Sequence, residues 1–173
     1  MNLKKNKIGV LGGSFDPAHK GHLTISKEAA KRFKLKKIIW AITKKNPFKK
    51  KSSQSLTARI SVCKKIVKKI KFIEVKFYEN KIKSNKTINL INYLTKNKKN
   101  EIYFLMGADN LVGFHRWHKW KQISEKCNII VFDRYGYKKK SLNSKTYKTL
   151  KSEKFKFVYF NKVNISSSQL RKI

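Results

Sequence analysis

Six apolar runs of strand length, separated by segments whose apolar residues recur every three or four positions, extend along most of the chain. Such a pattern buries its apolar faces by laying the strands into one sheet and packing the intervening helices over it. The reading is therefore α/β, an open parallel sheet flanked by helices. The strand runs are KIGVL (7–11), KKIIWAI (36–42), KFIEVKF (71–77), EIYFLMG (101–107), CNIIVFDR (127–134) and FKFVYFN (155–161). HLTISKEAAKRF (22–33) reads as the helix after the first strand, and Leu56, Ile60, Cys63, Val67 and Ile70 fall on one face of another. NKTINLINYLTK (85–96) places Thr87 at or near an N-cap ahead of Ile88, Ile91 and Leu94. WHKWKQISEK (117–126) reads as a helix before the fifth strand, and SSSQLRKI (166–173) as a Ser-capped helix start. TKKNPFKKKSSQS (43–55) is a loop marked by Pro47, and YKKKSLNSKTYKTLKSEK (137–154) is expected to be a flexible surface connection.

The chain has 173 residues, no internal repeat and no obvious linker, so a single domain spanning 1–173 is expected. No apolar run approaches the roughly 18 residues of a membrane helix, and IGVLGG is too short for a signal-peptide core. Cys63 and Cys127 stand apart in apolar settings without a CxxC pair, which fits core residues in a reducing compartment. A cytoplasmic protein is the expectation. The 44 basic residues against nine acidic ones give a net charge of +35, which raises a non-enzymatic nucleic-acid binder as a reading. The lysines are dispersed and only five basic residues are Arg, so the forked, patterned contacts of base readers are missing. A composition biased toward A/T-rich codons accounts for the Lys, Asn, Ile and Phe together, and the field would still speed the arrival of anionic substrates.

An open parallel sheet binds ligands beyond the carboxyl ends of its strands. That rule gathers four segments on one rim: 12–22, the loop around Pro47, 107–120 and 161–171. In GGSFDPAHKGH (12–22) the glycines let a ligand approach the backbone, and the following helix start offers unpaired N–H groups to an anion. His19 and His22, three apart, share a face there and, as imidazolium, would donate to it. The plainer reading has His19 capping the turn and His22 packing in the core. All four histidines fall in two HxxH pairs, but the acids that would complete a zinc site are few, and no metal ligands are assigned.

GGSFDPAHKGH resembles the GxFDPxHxGH signature of the nucleotidyltransferase superfamily, and ISSSQLR (165–171) resembles its partner motif ISSTxxR. Between them, MGADNLVGFHRWHKW (106–120) is similar to the GxDxLxxFxxWxxW segment of bacterial nicotinate-nucleotide adenylyltransferases, with Gly107, Asp109, Leu111, Phe114, Trp117 and Trp120 in place. The resemblance covers Lys7 to Arg171. It implies a Rossmann-like fold and the joining of nicotinate mononucleotide to the AMP part of ATP, giving deamido-NAD and pyrophosphate in NAD biosynthesis. The loop of the form PNxxPPHK in that family keeps Pro47 and Lys49 here. Lys86 stands where an aromatic precedes the threonine, and the chain stops at Ile173, short of a further helix.

Carried onto this sequence, the resemblance implies that Gly12, Gly13, Ser14 and Phe15 hold ATP, the last three also holding the mononucleotide, while His19, His22 and Arg171 act catalytically on the phosphates. Ser166, Ser167, Arg171 and Lys49 would bind the triphosphate, and Asp109 the nucleotide ribose. Trp117 would stack on the pyridine ring, Thr87 would help hold its carboxylate, and Arg134 joins the substrate-binding set. Trp120 is expected in the core. Mg²⁺ would arrive with ATP, the partners being ATP and nicotinate mononucleotide. An adenylyltransferase for nicotinamide mononucleotide or phosphopantetheine is the other enzymatic reading, and it accounts for the two end motifs but not for the middle one.

Overall fold

The computed structural model describes residues 5–46, 48, 52–150 and 153–159. Six strands, β1 (Asn6–Gly13), β2 (Lys37–Ile42), β3 (Ile73–Lys76), β4 (Asn100–Gly107), β5 (Asn128–Phe132) and β6 (Phe155–Val158), form one sheet in the order β3-β2-β1-β4-β5-β6. Every neighbouring pair is parallel, with Val10 level with Ile39 and Phe104. Strand order reverses between β1 and β4, which puts the crevice for a ligand beyond their carboxyl ends.

The apolar runs are continuous rather than alternating because both faces of the sheet are covered. Ile8, Val10, Ile39, Ala41, Ile102, Phe104, Met106, Ile129 and Val131 face one core, closed by Ile88, Ile91 and Leu94 of α4 (Thr87–Thr95), Leu111 of α5 (Ala108–Gly113) and Ile123 of α6 (Trp120–Lys126). Leu11, Ile38, Trp40, Ile42, Tyr103, Leu105, Ile130 and Phe132 face the other, closed by Ala29 of α1 (Lys20–Phe33) and Cys63 and Val67 of α2 (Leu56–Val67). The short α3 (Glu79–Ile82) follows β3.

Two expectations change. The lysine-rich stretch 137–154 holds two helices among its described residues, α7 (Lys138–Leu142) and α8 (Lys145–Thr149). Ser144 caps α8 by accepting from Tyr147 N at 3.1 Å, Thr146 is fully buried with its hydroxyl accepting from His115 N at 3.1 Å, and Leu150 joins the core. The lysines are the solvated side of an anchored segment. The helix expected over 117–126 begins at Trp120, because Lys119 turns left-handed (φ 52) and leaves Trp117 on extended backbone. Thr87 is the first residue of α4, after Lys86 as N-cap, and Trp120 packs half-buried against Phe114 at the core's edge, as expected.

On α2 the buried face carries Arg59, only 2% exposed, besides Cys63 and Val67. Its guanidinium donates to Ser14 O (2.6 Å), Thr43 O (2.9 Å) and Lys44 O (3.0 Å), and its Nε to Gln54 O (3.3 Å). Asp16, fully buried, accepts from Ser53 N (2.7 Å), Ser53 Oγ (2.9 Å) and Gln54 N (3.3 Å). One cation and one anion thereby tie the turn after β1, the start of the loop after β2 and the entry to α2 into a single block.

Replacing Arg59 by Leu keeps an apolar stem but removes the guanidinium and strips donors from those carbonyls, and should cost about 3 kcal/mol, read as a lower urea midpoint at unchanged m-value. Burial pushes both thiols up to about 12, at Cys63 against a smaller lowering by Arg59 and at Cys127 against one by Lys154. Both thiols therefore stay protonated at pH 8. A disulfide-exchange reagent should find neither of the two cysteines in the native protein and both in denaturant.

Candidate active site

The turn after β1 is shaped by Phe15. Its backbone is left-handed (φ 49), a strained state for a bulky residue, and its ring is 2% exposed, 5.0 Å from the ring of Trp40 and 4.7 Å from that of His22. Burial of the ring over-determines the backbone, which then turns the chain from β1 into α1. A Cβ at Gly12 would meet nothing nearer than Phe104 at 3.6 Å, and one at Gly13 nothing nearer than Phe15 at 3.5 Å. The protein's own packing thus leaves room for side chains at both, and the space they keep clear is that of the cavity.

His19 is the N-cap of α1. Its Nδ1 accepts from Gly21 N at 3.1 Å, and His22 Nδ1 accepts from His19 N at 3.1 Å, a reciprocal capping box with the two rings 4.0 Å apart. Each Nδ1 is thus taken up by a backbone N–H, and donation from either ring falls to Nε2. Capping and donation are compatible: the plainer reading of His19 holds without displacing the functional one.

A cavity of about 440 Å³ opens at the carboxyl ends of β1, β2 and β4. Gly12, Gly13, Ala41 and Phe104 form its sheet side, Thr87 and Leu90 of α4 one wall, and Arg116, Trp117 and His118 another. Phe104 and Phe114 hold the indole of Trp117 edge-on at 6.0 and 5.1 Å. Lys86 lines the cavity as well, so the departure from an aromatic there puts a cation at its edge. Phe48 meets the wall from the loop after β2, with the guanidinium of Arg116 5.1 Å over its ring.

Asp109 lies off this cavity and forms an ion pair with Arg134, carboxylate Oδ2 to guanidinium Nη1. Its Oδ1 is buried with no hydrogen-bond partner among the described residues, in the space a Cβ on Gly107 would need. The expected site residues therefore fall into three groups: Gly12, Gly13, Thr87 and Trp117 on the cavity; His19 and His22 at the start of α1; Asp109 with Arg134 at the ends of β4 and β5. The side chain of Phe15 is core and the carbonyl of Ser14 is bound by Arg59, so these two offer a ligand mainly backbone N–H. Lys49, Ser166, Ser167 and Arg171 lie outside the described residues.

Sequence reasoning missed Tyr78 and Glu79, which line the cavity just after β3. The carboxyl-end rule names that segment too, and the quiet sequence FYENKIKS gave no reason to apply it. Arg59 was hidden by its helix, where a charged residue at one position of an amphipathic pattern reads as surface.

Residues 10–173 match the family model described as Cytidylyltransferase-like. Over 173 residues the chain is 65% identical to the probable nicotinate-nucleotide adenylyltransferase of Pelagibacter ubique (strain HTCC1062), covering 100% of this chain and 96% of that protein. It is 39% identical over 131 residues to the probable nicotinate-nucleotide adenylyltransferase of Agrobacterium fabrum (strain C58 / ATCC 33970), covering 75% of this chain and 70% of that protein. Among solved structures, the Plasmodium falciparum nicotinic acid mononucleotide adenylyltransferase complexed with NaAD superposes with a TM-score of 0.79 at 21% identity, over 96% of this chain and 83% of that one, a likeness of fold. With a family-wide match over nearly all its length and a full-length relative at that identity, the chain belongs to the cytidylyltransferase-like family, among its nicotinate-nucleotide adenylyltransferases.

Proposed function

We propose that the protein transfers the AMP part of ATP to nicotinate mononucleotide, forming deamido-NAD and pyrophosphate in NAD biosynthesis. The observation that carries this reading is the cavity that joins Trp117 and Thr87 to the open backbone of Gly12 and Gly13, beside the start of α1. The pyridine ring stacks on the indole of Trp117, and the Thr87 hydroxyl donates to the ring's carboxylate. The mononucleotide phosphate then reaches toward Gly13, where the backbone leaves space for it.

The mononucleotide phosphate is already an anionic nucleophile, so no general base is required. One of its oxygens bonds to the α-phosphorus of ATP as the bond from that phosphorus to the bridging oxygen breaks, and the electron pair leaves with pyrophosphate. The enzyme aligns the two and stabilises the charge that builds on the leaving group. His19 and His22 do so through Nε2–H, with the positive end of α1 behind them. Ser14 and Phe15 offer backbone N–H groups, and Gly12 and Gly13 the open space beside them. Lys49, Ser166, Ser167 and Arg171 complete the triphosphate contacts. Asp109 accepts from a ribose hydroxyl, with Arg134 fixing the carboxylate. Mg²⁺ carried on the triphosphate would neutralise part of its charge.

Among the described residues no helix is long and apolar enough to cross a membrane, and both cysteines are free and buried. A reducing cytoplasm suits such a protein.

Pyrophosphate release from ATP and Mg²⁺ should run fastest with nicotinate mononucleotide in a panel that includes nicotinamide mononucleotide and phosphopantetheine; preference for either of the others overturns the substrate assignment. His22→Ala should lower kcat about 10²-fold through loss of a transition-state donor. Because it also removes half of the capping box, a stability loss of about 1 kcal/mol should accompany it. Turnover near wild type would remove His22 from the donor set.

A further inference from the structure

Glu79, the first residue of α3, lines the cavity and has no part in the chemistry above. Its Oε1 accepts from Thr43 Oγ1 at 2.5 Å and from Lys44 N at 3.1 Å, joining the segment after β3 to the segment after β2. From elsewhere in the fold, Arg59 donates to the carbonyls of the same two residues, at 2.9 and 3.0 Å, while Thr43 N donates to Gly13 O at 2.9 Å. Both N–H groups and both carbonyls of this dipeptide are therefore occupied, and so is the Thr43 hydroxyl. Thr43 itself lines the cavity next to Gly13.

Glu79 is also the one acidic residue on the cavity among the described residues. A carboxylate beside a site for an anionic mononucleotide repels its ligand, a cost that another task must offset. Two donors, one hydroxyl and one backbone N–H, define that task, since charge-assisted bonds of this kind hold geometry tightly.

We propose that Glu79 is a positioning residue for the mononucleotide: it fixes the Thr43–Lys44 wall against Gly13 at the spacing the bound substrate requires. This rests on the reading of the cavity as the mononucleotide site. The residue touches no reacting atom, so its removal acts on mononucleotide binding more than on the chemical step or on ATP.

The test compares wild type with Glu79→Ala, Thr43→Val and Glu79→Gln in three measurements: the calorimetric Kd for nicotinate mononucleotide, steady-state KM for each substrate with kcat, and thermal unfolding. Glu79→Ala should raise Kd and KM for the mononucleotide about tenfold, with kcat and the KM for ATP within about threefold, as loss of alignment in one wall predicts. Thr43→Val should move the same constants in the same direction by about threefold, and Glu79→Gln, which keeps an acceptor at Oε1, should recover most of the loss. A mononucleotide Kd unchanged in Glu79→Ala overturns the proposal, as does an equal rise in both KM values or a loss that merely tracks the unfolded fraction. If wild type binds nicotinamide mononucleotide instead, the substrate reading fails, and the same split measured with that compound still decides the role of Glu79. A wild type that binds neither mononucleotide removes both.

Discussion

The guanidinium of Arg59 is buried and spends its bonds on carbonyl oxygens rather than on a carboxylate, reaching Ser14, Thr43, Lys44 and Gln54. Those four carbonyls belong to three stretches of chain that the sheet itself leaves unpaired: the turn after β1, the first residues after β2 and the entry to α2. Without a common donor each would turn its carbonyls toward water and the crevice between them would have no fixed width. A planar fork with five donors suits this task better than a lysine, whose three donors radiate from one atom. The cost of burying the charge is offset by the number of oxygens it serves.

What Arg59 does for carbonyls, Asp16, Glu79, His19 and His22 do for N–H groups. Asp16 takes the amides of Ser53 and Gln54, Glu79 that of Lys44, His19 that of Gly21 and His22 that of His19. The rim of this sheet is thus preorganised by side chains that complete the hydrogen bonding of irregular backbone. Catalysis by charge stabilisation depends on donors already in place when charge develops. In the histidines the two tasks would meet in one ring under the proposed function: Nδ1 fixes the ring to the helix start, and Nε2 would be the donor to the leaving group. Structural and functional readings of such a residue are two edges of the same group.

The sheet, its parallel sense and the elements of its strong periodicity were legible because β-branched and aromatic runs buried on both faces leave no polar interruption, as in NIIVF of β5. So were Gly12, Gly13 and Trp117 as neighbours, since the carboxyl-end rule placed their segments on one rim, while Thr87 joined them through the family resemblance. The helices α7 and α8 were not, because their anchors are Ser141, Ser144 and Thr146, small polar residues whose burial depends on partners distant in sequence. Arg59 and Glu79 were hidden for the same reason. Their value lies in backbone groups of Ser14, Thr43 and Lys44, and a sequence prints side chains, not the carbonyls and amides they satisfy.

A chain with 44 basic and nine acidic residues sets its acids against a strong background of repulsion. The loops around the crevice carry Lys44, Lys45 and Lys86, and cations brought together on neighbouring loops push those loops apart. Four of the nine acids stand at this end of the sheet, Asp16, Glu79, Asp109 and Asp133, and the first three are bound to backbone or to Arg134. Placed there, they counter the repulsion where loops must stay close, and leave the uncompensated lysines to the outer surface. The excess charge can then draw two anionic substrates toward the crevice without opening it. That division holds only while the acids remain tied to fixed donors, since a carboxylate free to swing into the cavity would oppose the ligands that the field attracts.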